Sequence, residues 1–234
     1  LKKGKIKQLY VNDMKENFEQ VFNDGLKLNK LKPKNLTLSN KDANLFLQEQ
    51  IGFDYIDIDP FGSPNPFLAS ALARISREGI IAVTATDTAA LTGTYPKVTP
   101  RKYWAVSLKN YLMHEIGLRI LIRKVQLQGI QFDKALIPIL SYSKNHYFRI
   151  YFRNEKGKEK CDEVIKQHQY FLYCNNCLNF KTSVYNKEIC ACKNKFVFAG
   201  PLWTGKLQEE KLLEKMVENN PFHEEQKLLE LLWG

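Results

Sequence analysis

Long apolar runs are missing from this 234-residue chain. No stretch of about 18 apolar residues occurs, so nothing in it reads as a helix crossing a membrane. An apolar leader is missing as well: the chain opens Leu1-Lys2-Lys3-Gly4-Lys5, and a start on Leu rather than Met points to a fragment. Cysteine is sparse, with five residues arranged as two close pairs and one singlet. Without a leader, that usage argues for a reducing, cytoplasmic setting and for metal rather than disulfides. No glycine-x-glycine precedes a helix, so the phosphate loop of a dinucleotide site is absent. No internal repeat is visible. Apolar and aromatic side chains are plentiful, at 44% and 12%, which excludes a disordered or collagen-like chain. The length suits one full domain with a small appendage.

The charge of +10 is unevenly spread. Residues 1–41 and 144–196 each carry a net +6, residues 42–143 carry +1, and residues 197–234 carry −3. Two basic blocks around a neutral middle fit a polyanionic partner such as nucleic acid, although lysine-rich surfaces also occur without one.

Periodicity predicts an alternation of strands and helices. Strands are expected over Ile6–Asn12, Leu36–Ser39, Phe53–Ile58, Ile80–Thr86, Ala135–Ser143 and Tyr147–Arg153. Helices are expected over Met14–Leu28, Ala43–Gln50, Pro66–Arg77 and Tyr103–Leu127, with a polar loop containing Gly93, Pro96 and Pro100 before the last. This order implies an α/β fold with a mostly parallel sheet, covered on both faces and closed by an antiparallel hairpin. In such sheets the ligand sits beyond the carboxyl ends of the strands, which would place Asp13, Asp42 and Asp59 along one crevice. Asn154–Lys160 reads as a flexible, lysine-rich link to a cysteine-bearing module, and Leu207–Val217 and Glu224–Leu232 read as closing helices.

Asp13 could accept from two ribose hydroxyls, or it (or Asn12) could cap the following helix. Asp42 could cap its own helix or bind an adenine amino group. The sharpest signal is Asp59-Pro60-Phe61-Gly62-Ser63-Pro64, at the end of an apolar strand. Pro60 has no N–H, so its carbonyl is free of a ladder position. Phe61 offers a flat ring, and Gly62 lets the chain turn close to a ligand. A carboxylate, a carbonyl and a ring suit an exocyclic amine on a base. That amine is a poor nucleophile because its lone pair is delocalised. Acceptors holding its hydrogens aim the lone pair at an electrophilic methyl and ease proton loss. Reaching it in folded nucleic acid requires extruding the base onto an aromatic. The plainer reading is a capped strand–turn–helix.

The segments VNDMKENFEQV, NKDANLFL, FDYIDIDPFGSPNPFLASAL, GIIAVTATDTAALTG and HYFRIYFR, in this order, resemble the tRNA guanine-26 N2-dimethyltransferase family over most of residues 6–220. The resemblance implies a Rossmann-like, class I methyltransferase fold that uses S-adenosylmethionine and acts on tRNA. It also implies that Asp13 binds the cofactor ribose, that Asp42 and Ala43 bind its adenine, that Asp59 is the catalytic acceptor, that Pro60 supplies the carbonyl and that Phe61 stacks on guanine. Thr84-Ala85-Thr86-Asp87 matches the strand and loop beside the substrate, or is simply a capped strand end. Family members begin with an upstream strand and loop for the methionine end of the cofactor, which this sequence lacks. It also stops before the family's usual C-terminal portion. Either the sequence is partial or a separately encoded N-terminal half completes a sheet left with an apolar gap. Residues 1–153 are therefore expected to be a partial methyltransferase domain, and residues 154–234 a C-terminal domain.

Cys174-x-x-Cys177 and Cys190-x-Cys192 lie 12 residues apart, a spacing that suits tetrahedral zinc with no open position. Aromatic segments on either side, Tyr170–Tyr173 and Phe196–Phe198, suggest the strands of a zinc ribbon over about 170–198. The resemblance agrees, because such a cysteine set precedes the AGPLW segment (Ala199–Trp203). Cys161 reads as a bystander. His114 reads as a partly exposed helical histidine. His146 and Tyr147 could contact phosphate or serve only the hairpin, and Arg101, Lys102, Arg119, Arg123 and Lys124 could meet phosphate or form a solvated face. Two other functions stay open: amino-methylation of adenine in another nucleic acid, and an RNA-binding remnant without catalysis.

Overall fold

The computed structural model describes residues 6–219. The chain divides into two compact units, Leu1–Gly52 and Phe53–Gly234.

The first unit contains β1 (Leu9–Asn12), α1 (Phe18–Leu28), β2 (Leu36–Ser39) and α2 (Ala43–Gln48). β1 and β2 pair in parallel from Leu9 opposite Leu36 to Asn12 opposite Ser39. Asp42 ends the link after β2 and caps α2, its Oδ1 accepting from the N–H groups of Asn44 (2.9 Å) and Leu45 (3.1 Å). The cap expected at the start of α1 is not formed by Asp13 or Asn12. Asp13 Oδ1 instead accepts from the Lys15 N–H (2.9 Å), closing a turn, and α1 begins four residues later than expected. α1 buries none of its residues, and the buried hydrophobics of this unit are Phe46 and Leu47 of α2.

The second unit begins with β3 (Phe53–Ile58), α3 (Asn65–Arg74), β4 (Ile75–Ala85), α4 (Thr88–Leu91), α5 (Val98–Tyr103), α6 (Met113–Ile130), β5 (Lys134–Lys144) and β6 (Tyr147–Lys156). Their strands form one sheet in the order β3-β4-β6-β5. Only β3 and β4 run parallel; β4 with β6 and β6 with β5 are antiparallel. The single, mostly parallel sheet expected from the alternation is thus corrected among the described residues. β1 and β2 pair with each other in the first unit, and the hairpin supplies half of the sheet in the second. Asn145 turns that hairpin with φ 52°, a backbone conformation its short polar side chain tolerates.

β6 alternates strictly. Phe148, Ile150, Phe152 and Asn154 are buried, while Arg149, Tyr151 and Arg153 are only part-buried and so take the other face. On the first face lies α6, whose Gly117 lets the helix approach the Phe148 ring; a Cβ there would sit 2.9 Å from that ring. Ala, Leu and Ile residues of β4 and α6 complete a core with no accessible surface at Leu68, Leu72, Ile81, Val83, Ile120, Leu121 and Ile122.

The chain continues through α7 (Lys158–Lys166), β7 (His168–Tyr173), β8 (Phe180–Ser183), β9 (Val197–Trp203) and α8 (Glu210–Glu218). The link expected to be flexible at Asn154–Lys160 is instead the end of β6 and the start of α7, tied down by an ion pair between Lys160 and Glu155 (2.6 Å). β8, β7 and β9 form an antiparallel sheet that packs on α6. Arg119 of α6 anchors it by donating to the carbonyls of Trp203 (3.0 Å) and Gly205 (2.9 Å). His168 pairs with Gln126 of α6 at 2.8 Å. Arg119 and Arg123 therefore hold structure together rather than form a solvated face, Arg123 by donating to the Trp104 carbonyl (3.1 Å). α8 seats Leu213 against Leu140, Tyr142 and Tyr151. Burying such a leucine contributes about 1.5–3 kcal/mol. The helix expected at Glu224–Leu232 lies outside the described residues. Among those described, no helix is long and apolar enough to cross a membrane.

Candidate active site and metal centre

β3 ends at Ile58 and delivers Asp59-Pro60-Phe61 to the carboxyl edge of the sheet. Asp59 is exposed, Pro60 is half-buried and the Phe61 ring is fully exposed. The turn beneath them is fastened to β4. The Gly62 N–H donates to Thr86 Oγ1 (2.6 Å), and the Thr86 N–H returns a bond to the Gly62 carbonyl (2.9 Å). Gly62 has φ 92°, a conformation that side chains resist, which gives its position in the motif a backbone reason.

A second layer holds this lip from below. Tyr103, with no exposed surface, donates to Asp87 Oδ1 (2.5 Å) and lies 3.1 Å from Ser63 Oγ. Burial, then the hydrogen bond to Asp87, pushes the Tyr103 phenol well above its ordinary range, so it stays a donor. Lys102 reaches Asp87 Oδ2 (3.2 Å), and the Asn65 amide donates to the Lys102 carbonyl (2.9 Å). The Thr84–Asp87 segment thus positions the Asp59 lip through Thr86 and Asp87. Tyr103 was expected to open a long helix. Instead it ends α5, Trp104 turns left-handed (φ 55°), and α6 starts only at Met113.

One constellation escaped the sequence reading. Arg149 of β6 reaches across β4 to grip Asp57 of β3 through both carboxylate oxygens (2.7 and 2.6 Å), and donates to Thr84 Oγ1 on β4 itself (2.6 Å). The Tyr55 hydroxyl donates to the same carboxylate (3.0 Å). Burial opposes the charge on Arg149, but its bonds to Asp57 outweigh that and hold its pKa above the ordinary value. The signal was the period-two alternation of HYFRIYFR, which sets Arg149 on the face opposite Phe148 and Ile150.

In the first unit, Asp13 and Asp42 are exposed and Ala43 is half-buried. Each carboxylate makes its backbone bonds through Oδ1, and no bond to Oδ2 of either is found among the described residues. The capping and ligand roles weighed for Asp42 are therefore compatible, and both acids remain fit to meet a polar cofactor.

In the second unit, Sγ atoms of Cys174, Cys177, Cys190 and Cys192 all lie within 4.8 Å of one another. The closest approaches are Cys174–Cys192 at 3.5 Å and Cys177–Cys190 at 3.4 Å. These are too long for disulfides and suit four thiolates about 2.3 Å from one central ion. Two tight turns make the cluster. Leu178 N–H donates back to the Cys174 carbonyl (2.9 Å) and Lys193 N–H to that of Cys190 (2.8 Å), with Leu178 and Lys193 both at positive φ. The residues thus form a cluster able to hold a metal ion. Cys161 is buried in α7, away from this group of four. His114 is exposed on α6, its ring edge-on to Phe148.

The α/β architecture is a methyltransferase fold. The superposition on a solved structure is close: Trm1 from Pyrococcus horikoshii in complex with S-adenosyl-L-methionine matches with a TM-score of 0.84 and 32% identity, over 97% of this chain and 64% of that one. Residues 2–232 match the family model for N2,N2-dimethylguanosine tRNA methyltransferase, and the chain belongs to that family. It is 42% identical over 226 residues to the tRNA (guanine(26)-N(2)/guanine(27)-N(2))-dimethyltransferase of Aquifex aeolicus, covering 94% of this chain and 58% of the relative. It is 38% identical over 236 residues to the tRNA (guanine(26)-N(2))-dimethyltransferase of Methanobrevibacter smithii, covering 97% and 60%. The chain therefore spans about three-fifths of the length of these curated relatives.

Proposed function

We propose that this chain forms part of an enzyme that transfers methyl groups from S-adenosylmethionine to the exocyclic N2 of guanine 26 in tRNA. Family membership and the fastened lip at Asp59 support the reading most strongly. Asp59 accepts a hydrogen of the guanine amine and then its proton, the Pro60 carbonyl accepts the other hydrogen, and Phe61 stacks on the extruded base. The lip can do this because the Gly62 backbone bonds Thr86 and the Ser63 side chain meets Tyr103, while no bond to the Asp59 carboxylate is found among the described residues. Asp13 would hold the ribose of the cofactor, and Asp42 and Ala43 its adenine. When bound, the cofactor supplies an electrophilic methyl.

The methyltransferase portion extends over residues 1–153 and the C-terminal domain over 154–234. In the latter, the four cysteines hold one structural zinc in a ribbon-like module. All four ligand positions are filled by thiolates, so the ion stabilises the module and takes no part in transfer. Unpaired thiols and the tRNA substrate fit a cytoplasmic location. β1 pairs only with β2, and β3 only with β4, among the described residues, so each keeps an edge able to receive a further strand. A segment of the longer enzyme, or a separately encoded N-terminal half, would supply it.

The test is to give the chain, alone and with a separately made N-terminal segment, labelled S-adenosylmethionine and a tRNA transcript, and to map the methylated nucleoside. N2-methylated guanine at position 26 is expected, with Asp59→Asn lowering transfer about 10²- to 10⁴-fold. Methyl groups on adenine would overturn the guanine assignment. Unchanged turnover of Asp59→Asn would remove Asp59 from the reaction.

A further inference from the structure

Beside α5 lies a cleft of about 220 Å³ that the lip does not use, lined by Pro100, Trp104, Tyr170, Asn186, Phe198 and Pro201 among others. We propose that this cleft receives one unstacked base of RNA, stacked on the Trp104 indole. The partner in this inference rests on the tRNA reading above; the cleft itself does not.

The lining points to a flat, ring-shaped guest. Three aromatic side chains and two prolines provide apolar walls, and the amide of Asn186 provides a donor and an acceptor for a base edge. The volume falls below that of sites for drug-sized ligands and fits a single ring system. Trp104 is prepared for stacking. The residue is 48% exposed, and the Lys124 ammonium lies 3.0 Å from the ring centroid, a cation–π contact that fixes the indole. The backbone is fixed as well. Trp104 sits at φ 55°, unusual for so bulky a residue, and its carbonyl accepts from Arg123. Its neighbour Val106 exchanges two hydrogen bonds with Gly200 (2.8 and 2.7 Å).

Charge selects RNA over an apolar peptide. The segments that build the cleft carry exposed Arg101 and Lys187, besides Lys102, which pairs with Asp87, and none of its lining residues is acidic. Cations around an aromatic platform are the arrangement that binds single-stranded nucleic acid, where phosphates meet the charge and bases meet the ring. The cleft is also tied to the lip, because the residue before Trp104 is the Tyr103 that holds Ser63 and Asp87.

The full chain is titrated with a fluorescein-labelled tRNA transcript and, separately, with inorganic polyphosphate as a probe of charge alone. Trp104→Ala is expected to weaken tRNA binding about 5- to 100-fold, with the salt dependence of affinity unchanged. Trp104→Phe should stay within about threefold of the parent, and polyphosphate binding should be the same for all three within about twofold. Asn186→Trp, which fills the cleft from its loop side, should weaken tRNA binding comparably. It keeps the test open if Trp104→Ala fails to fold. Unaltered tRNA affinity in both Trp104→Ala and Asn186→Trp overturns the cleft assignment and leaves the RNA reading standing. Equal losses for tRNA and polyphosphate also overturn it, since Trp104 would then only arrange the charges of its neighbours. Binding of polyphosphate but not tRNA by the parent chain removes the RNA reading and this inference together.

Discussion

The Asp59–Asn65 lip is fastened at Gly62, Ser63 and Asn65 and keeps Asp59 and Phe61 bare, whereas the two cysteine knuckles turn all of their sulfurs to one point. At the lip, Gly62, Ser63 and Asn65 make the bonds, and Asp59 and Phe61 face solvent. At the knuckles, four Sγ atoms converge within 4.8 Å. The first arrangement allows a guest to come and go; the second, once filled, has no position left for one. The proposed function puts chemistry and stability in different loops of one unit, and substitutions should separate them.

The largest effect should follow from opening the cluster. Cys190→Ser is expected to lose about one bound zinc per chain and to cost at least about 3 kcal/mol of stability. Metal analysis and thermal melting check this, and a variant that keeps both its metal and its melting temperature breaks the comparison. Next comes Arg149→Met, which leaves Asp57 without its cation. The arginine side chain is only 11% exposed but Asp57 is 42% exposed, so solvent screening limits the loss to about 1–3 kcal/mol. A double-mutant cycle with Asp57→Asn would isolate the pair, and a coupling near zero would show that the bidentate contact contributes nothing.

A smaller effect depends on pH. Burial, and then Arg123, lower the pKa of His168 to about 4 from its ordinary 6.5. Between those values the unfolded chain holds a proton that the folded chain refuses. The contribution is therefore complete above about pH 6.5 and declines as pH falls toward 4. Going from pH 7 to pH 5 should cost about 1–2 kcal/mol through this residue. His168→Gln should remove that part of the slope in denaturation series at the two pH values; an identical slope in the variant would rule out His168 as its source. The smallest effect is expected at the lip itself. Asp59→Asn should shift the melting temperature by less than about 2 °C, because the carboxylate is exposed and no bond to it is found among the described residues. A large shift would mean that Asp59 is structural.

Much of this was legible in the residues. β2 and β3 span the expected residues, and α2 starts behind Asp42 as its capping chemistry dictates. The cysteine spacing was enough to anticipate that four sulfurs would meet. Other features were hidden because tertiary contacts overrode local pattern. Pro96 and Pro100 read as loop, yet Pro100 is the third residue of α5, inside the first turn where the missing N–H does no harm. α3 stops at Arg74 because Ile75 is buried opposite Phe53 and begins β4. The Asp57–Arg149 pair spans 92 residues, a distance over which no local pattern can specify a partner. Nor could periodicity reveal that β1–β2 and β3–β4 would belong to separate compact units.

The junction of Tyr103 and Trp104 has one more consequence. Adjacent α-carbons across a trans peptide stay about 3.8 Å apart whatever else moves. Tyr103 is clamped to Ser63 and Asp87, and Trp104 is clamped by Lys124 and Arg123. The anchor of the lip and the anchor of the indole are therefore neighbours on one short piece of backbone.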